Sequence, residues 1–141
     1  MDVIKGKSVI ITGGASGIGL SVAAILVREG CKVTIADINP ETGSDAVARL
    51  KGTGEHDPIF VTADVSCEAD VERMVGASVE AFGRLDGAVN AAAVMSQGKT
   101  ADMLDVEEWD RCYAINARGV FLCVKHQIRA MLETGGGSIA A

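Results

Sequence analysis

The feature that most restricts this chain is the run Thr12-Gly13-Gly14-Ala15-Ser16-Gly17-Ile18-Gly19, set between a β-branched segment and a segment of helical spacing. Gly13 permits a tight strand-to-helix turn, Gly17 removes a Cβ where the backbone must approach a pyrophosphate, and Gly19 lets the helix lie close to the sheet. An anion there meets free backbone N–H groups and the positive end of a helix dipole. The chain has 17 glycines in 141 residues, above the usual ~7%. The excess gathers in this turn and at Gly135 to Gly137, which marks local backbone geometry.

The surrounding pattern alternates short β-branched runs with helical ones, the signature of βαβ units and a parallel sheet. Strands are expected at Val9 to Thr12, Lys32 to Asp37, Ile59 to Ala63, Leu85 to Ala91, and from Ser138 onward. Helices are expected over 17–29, with Ile18, Val22, Ile25 and Leu26 as its inner face, over 40–51, from a Ser66 cap to Gly83, and as one long helix over 106–133. Ala93 to Asp105 reads as a loop. Right-handed crossovers give an α/β fold, a doubly wound parallel sheet in order 3-2-1-4-5, as one dinucleotide-binding domain over 1–141. The ligand belongs beyond the carboxyl ends of strands 1 and 4.

Asp37 closes the second strand eighteen residues past Gly19, close to the ~20-residue spacing at which an acid binds ribose hydroxyls. A carboxylate there accepts from both hydroxyls of NAD and repels a 2′-phosphate. Neither Ala15 nor Ile38 brings a compensating positive charge, so NAD is expected over NADP.

Net charge is −6, with 13 Lys and Arg against 19 Asp and Glu, and no basic stripe follows any expected helix. Nucleic acid and anionic membranes are therefore poor partners. The four cysteines form no C-x-x-C pair, and His56 and His126 stand in no ligand-like spacing with them, so neither a zinc site nor a disulfide framework is expected. No apolar run approaches the ~18 residues of a membrane span, and a cytoplasmic setting follows as the default.

Several motifs together resemble the N-terminal part of a short-chain dehydrogenase/reductase, with a Rossmann-like fold, over essentially the whole chain. The family's T-G-x-x-x-G-x-G matches Thr12 to Gly19, Asp37 matches its NAD-selecting acid, and Asp64-Val65 matches the pair that holds adenine. Asn90-Ala91-Ala92-Ala93 stands where the family has N-N-A-G, departing at the second and fourth positions, and Asn116 matches the Asn of the catalytic tetrad. The resemblance implies cofactor contacts at Gly13, Ser16, Gly17, Ile18, Gly19, Asp37, Asp64, Val65, Asn90, Ala91 and Ala92, with no metal. It also implies hydride transfer between a nicotinamide and a secondary alcohol or ketone of a small-molecule substrate.

The family's reacting groups are a Ser and a Tyr-x-x-x-Lys. The single tyrosine, Tyr113, is followed four residues on by Ala117, and Ser138 precedes the family's Ser position. The chain is accordingly expected to be C-terminally truncated relative to the family, ending after strand 5 without turnover of its own. The apolar groups around the helix over 106–133 imply a homo-oligomer through that helix. The alternative is a non-catalytic nucleotide-binding or assembly protein built on the same fold. A Rossmann-like methyltransferase shares the glycine turn and strand-2 acid but does not account for Asp64-Val65 together with Asn116, and a P-loop phosphotransferase lacks its Gly-Lys-Ser/Thr.

Overall fold

The computed structural model describes residues 3–141. It contains a five-stranded parallel sheet in the order β3-β2-β1-β4-β5, the order expected from the sequence. The strands are β1 (Ser8–Thr12), β2 (Lys32–Asp37), β3 (Ile59–Thr62), β4 (Gly87–Asn90) and β5 (Ser138–Ala140). The helices are α1 (Gly17–Arg28), α2 (Pro40–Leu50), α3 (Glu68–Phe82), α4 (Val106–Tyr113) and α5 (Val120–Leu132). Among the described residues no helix is long and apolar enough to cross a membrane.

β1 is buried along its whole length because helices cover both faces of the sheet, which is why it reads as a nearly continuous apolar run. Side chains alternate across the pleat. Ile10 joins Met74, Val71, Leu85 and Leu122 in the core under α3 and α5. Val9 and Ile11 join Ala23, Val27, Val33 and Ile35 under α1 and α2.

Four local expectations are corrected. α1 buries Gly19, Ala23 and Val27, whereas Ile18 and Ile25 are exposed. Small residues take the inner face because the helix lies hard against the turn before it: a Cβ on Gly19 would meet the Gly13 carbonyl oxygen. Ser66 is not the cap of α3, since its N–H and hydroxyl both donate to Asp64 Oδ1, at 2.9 and 2.6 Å, and Cys67 takes the cap position one residue later. The long helix is divided by a π-helical segment, Ala114–Gly119, between α4 and α5. There Gly119 lies so close to Val65 that a Cβ would stand 2.8 Å from its Cγ2. The strand between Leu85 and Ala91 also pairs over a shorter span, 87–90.

Other ends follow local chemistry. The Asn39 side chain accepts from the N–H groups of Glu41 and Thr42, and Pro40 takes the first turn of α2. Gly83 ends α3 at φ 82, a left-handed conformation that glycine adopts without a Cβ penalty.

Polar ties fix the α3 and α5 layer. Asn90 and Gln127, both buried, exchange reciprocal amide hydrogen bonds of 2.9 and 2.8 Å between β4 and α5. Thr34 Oγ1 donates to Ser78 Oγ at 2.9 Å. Lys125 Nζ lies 2.6 Å from Glu68 Oε1. Hydrogen bonds from Lys125 first, then from His126, hold the Glu68 carboxyl down at about 2.

Replacing Gln127 with Met leaves Asn90 buried without its partner and is expected to cost about 1–3 kcal/mol in urea unfolding. The double variant Asn90→Leu/Gln127→Met should recover part of that loss. Glu68 predicts an acid dependence as well. Its native pKa lies below its ordinary value of 4.5, so its contribution is complete above that value and is lost as pH falls toward 2. Glu68→Gln should flatten the decline of the urea midpoint over that window, and an unchanged decline would refute the coupling.

Candidate functional site

The carboxyl ends of the strands enclose a cleft of ≈ 470 Å³. It lies beside the switch between β1 and β4, where the winding of the sheet reverses. The glycine turn forms one wall through Gly13, Ser16, Gly17, Ile18 and Gly19, and the end of β2 forms another through Ala36, Asp37 and Ile38. Ala63, Asp64 and Val65 follow β3, and Ala91 to Val94 follow β4.

The turn is held from below by backbone and side-chain bonds. Gly14 N–H donates to Ala36 O at 3.1 Å, and Ala91 N–H donates to Thr12 O at 3.1 Å. Thr12 Oγ1 accepts from Ala92 N–H at 3.3 Å. Gly13 takes φ 64, with its missing Cβ only 2.8 Å from Ala92. The missing Cβ of Gly17, at φ 53, meets open space instead. Gly19 is therefore glycine for packing against the turn, and Gly17 keeps the mouth of α1 free of a side chain.

Asp37 joins the turn to β2. Its Oδ2 accepts from Ala15 N–H at 3.1 Å and its Oδ1 from Asn39 N–H at 3.3 Å. Two bonds leave acceptor capacity on a carboxylate, which has about four lone-pair sites. Asp64 spends Oδ1 on Ser66. Its N–H donates to Asp70 Oδ2 at 3.0 Å, and that bond, followed by one from Arg73, holds the Asp70 carboxyl below its ordinary range.

The two asparagines lie outside the cleft lining. Asn90 is buried in its amide pair with Gln127. Asn116, in the π-helical segment, grips the loop after β4: Oδ1 accepts from Val94 N–H at 2.9 Å and Nδ2 donates to Val94 O at 2.7 Å. The same loop is stapled further on, where Lys99 Nζ contacts Asp105 at 2.6 Å and Glu108 at 3.4 Å. The hydrogen bond to Asp105 first, then the charge of that carboxylate, raises the Lys99 pKa. Tyr113 is exposed at the end of α4.

Arg111 and Ile115 also line the cleft, and sequence reading did not single them out. They are four residues apart, so one helical face carries both toward the cavity. The signal was present in their spacing, but choosing that face required the course of the preceding loop.

Comparison with known proteins agrees with this geometry. Residues 7–141 match the short chain dehydrogenase family. A 2,5-dichloro-2,5-cyclohexadiene-1,4-diol dehydrogenase of Sphingobium indicum is 40% identical over 135 residues, covering 96% of this chain and 52% of that protein. The short chain dehydrogenase/reductase astE of Aspergillus oryzae is 37% identical over 134 residues, covering 95% and 51%. Among solved structures, a short-chain type dehydrogenase/reductase from Mycobacterium ulcerans superposes with a TM-score of 0.93 at 33% identity, covering 96% of this chain and 50% of that one. Levodione reductase superposes with a TM-score of 0.92 at 35% identity, covering 96% and 53%. The chain spans about half the length of the curated relatives it matches.

Asn116→Ala removes both bonds to Val94 at an exposed position, so the expected stability loss is about 1 kcal/mol or less. Loop order should change far more: amide exchange at Val94 and tryptic cleavage after Lys99 should both accelerate. Unchanged exchange at Val94 would exclude the anchoring role.

Proposed function

Because this chain belongs to the short-chain dehydrogenase family, we propose that it is the NAD-binding part of an oxidoreductase that interconverts a secondary alcohol and a ketone. The observation that carries this reading is Asp37, a carboxylate at the rim of a glycine-walled cleft with acceptor capacity left after binding Ala15 and Asn39. The cleft suits a dinucleotide because Gly17 leaves open space at the N-terminus of α1, where N–H groups and the helix dipole favour a pyrophosphate.

Within this reading, Asp37 accepts from the two hydroxyls of the adenosine ribose. A 2′-phosphate would press negative charge against it, and the neighbouring Ala15 and Ile38 carry no cation. Arg111 enters the cleft lining from α4 rather than from the end of β2. Asp64 and Val65 flank the adenine, while Gly13, Ser16, Ile18, Gly19, Ala91 and Ala92 shape the remaining wall. Asn90 supports that wall through Gln127, and Asn116 acts through the Val94 loop as a positioning residue.

When bound, the nicotinamide ring supplies the hydride acceptor or donor. The part of this chain in the reaction is to hold and orient the cofactor, since its one tyrosine has no lysine four residues later. The names of two relatives, a diol dehydrogenase and a levodione reductase, support a small-molecule alcohol or carbonyl substrate. The reading includes self-association through residues 106–133, where Trp109, Tyr113, Phe121 and Leu132 are each more than half exposed.

Calorimetric titration of the chain with NAD and NADP tests the assignment. The native chain should prefer NAD. Asp37→Ala loses hydrogen bonds to a charged acceptor, worth about 1.5–3 kcal/mol, so NAD affinity should fall roughly ten- to a hundredfold and the gap to NADP should narrow. Equal losses for both cofactors would overturn the NAD selection. Absence of binding by either would overturn the cofactor-holding role of the chain.

A further inference from the structure

Away from the nucleotide cleft, the fold gathers a second set of donor atoms. Glu68 and Glu72 stand one turn apart at the start of α3, and His126 meets them from α5. His126 Nε2 lies 2.9 Å from Glu68 Oε1 and 3.7 Å from Glu72 Oε1. One donor atom from each residue can be chosen so that all lie within 4.8 Å of one another. The imidazole is almost fully buried, with its side chain 8% exposed, whereas the two carboxylates are 44% and 60% exposed. A fixed nitrogen therefore faces two oxygens that can adjust.

Bonds of about 2.0–2.1 Å around a tetrahedral zinc ion require donor-to-donor edges of roughly 3.3 Å. The two edges that meet at His126 Nε2, 2.9 and 3.7 Å, bracket that distance, and the edge between the two carboxylates is no longer than 4.8 Å. We propose that Glu68, Glu72 and His126 form a divalent transition-metal site of the zinc type, with three protein ligands and a fourth position open to solvent. One imidazole with two carboxylates suits zinc, cobalt or nickel. Calcium takes six to eight oxygens and magnesium a near-octahedral oxygen shell.

Lys125 is the competing cation. Its Nζ lies 2.6 Å from the same Glu68 oxygen, and an incoming ion must displace it. The Lys125 side chain is one-third exposed, so it has a path to solvent. Occupancy by the metal would exchange one α3-to-α5 tie, the Lys125 ion pair, for another made through His126. The site draws on neither the cleft nor the family's chemistry, so its fate is independent of the cofactor assignment.

The test is calorimetric titration of metal-stripped protein with zinc, in a Cys67→Ser/Cys112→Ser background that removes the two thiols outside the core. Circular dichroism of each variant checks that the fold is kept. The expected result is one zinc per chain, reversed by EDTA and accompanied by a raised melting temperature. Glu72→Gln, at an exposed position, should weaken binding by at least about tenfold, the size of loss seen when even a ligand's supporting partner is disturbed. His126→Asn should do the same. Lys125→Met should bind zinc more tightly than its parent, a gain that a plain ion-pair cluster does not predict. Failure of the parent to bind one equivalent, Glu72→Gln binding within twofold of the parent, or Lys125→Met binding no more tightly would overturn the site.

Discussion

The structure depends first on one close approach, that of Gly19 to the carbonyl of Gly13. No side chain fits between them, since a Cβ on Gly19 would collide with that oxygen. The absence of a side chain lets α1 begin directly over the end of β1, so the first N–H groups of the helix open toward the cleft. The same approach sets which residues α1 turns inward, Ala23 and Val27 rather than its larger isoleucines. Turn, helix face and cleft wall thus share a single steric cause.

A second set of ties makes the cleft a joint property of distant segments. Asp37 fastens β2 to the turn through Ala15, Thr12 fastens the turn to the loop after β4 through Ala92, and Asn116 fastens that loop to the π-helical segment through Val94. Each uses the backbone N–H of a residue outside the strands, Ala15, Ala92 or Val94. The loop after β4 is therefore held from both sides, although it has no ladder of its own.

Strand order and the glycine turn were legible in sequence because each has a local code: β-branched runs for buried parallel strands, glycine where a Cβ cannot stand. The inner face of α1 was not, because Ile18 and Ile25 satisfy helical periodicity as well as Ala23 and Val27 do, and only the distance to the sheet chooses between them. Ser66 looked like a cap by residue type, yet Asp64 captures both its N–H and its hydroxyl. The Asn90–Gln127 pair and the grouping of Glu68 with His126, 58 residues apart, are long-range facts that spacing along the chain does not encode. Arg111 was missed for the same reason, since an exposed arginine on a helix carries no mark of the cavity it borders.

The π-helical segment also acts as a phase adjustment. A π turn accommodates one residue more than an α turn, and each residue of an α-helix advances the face by about 100°. The extra residue between α4 and α5 therefore sets the clock angle between them. Arg111 and Ile115 can face the cleft while Gln127 reaches Asn90 and Met131 enters the core. In an uninterrupted helix of the same sequence these two demands would fall out of step by about a quarter turn. One surplus residue thus lets a single rod border the cleft at one end and serve the sheet at the other.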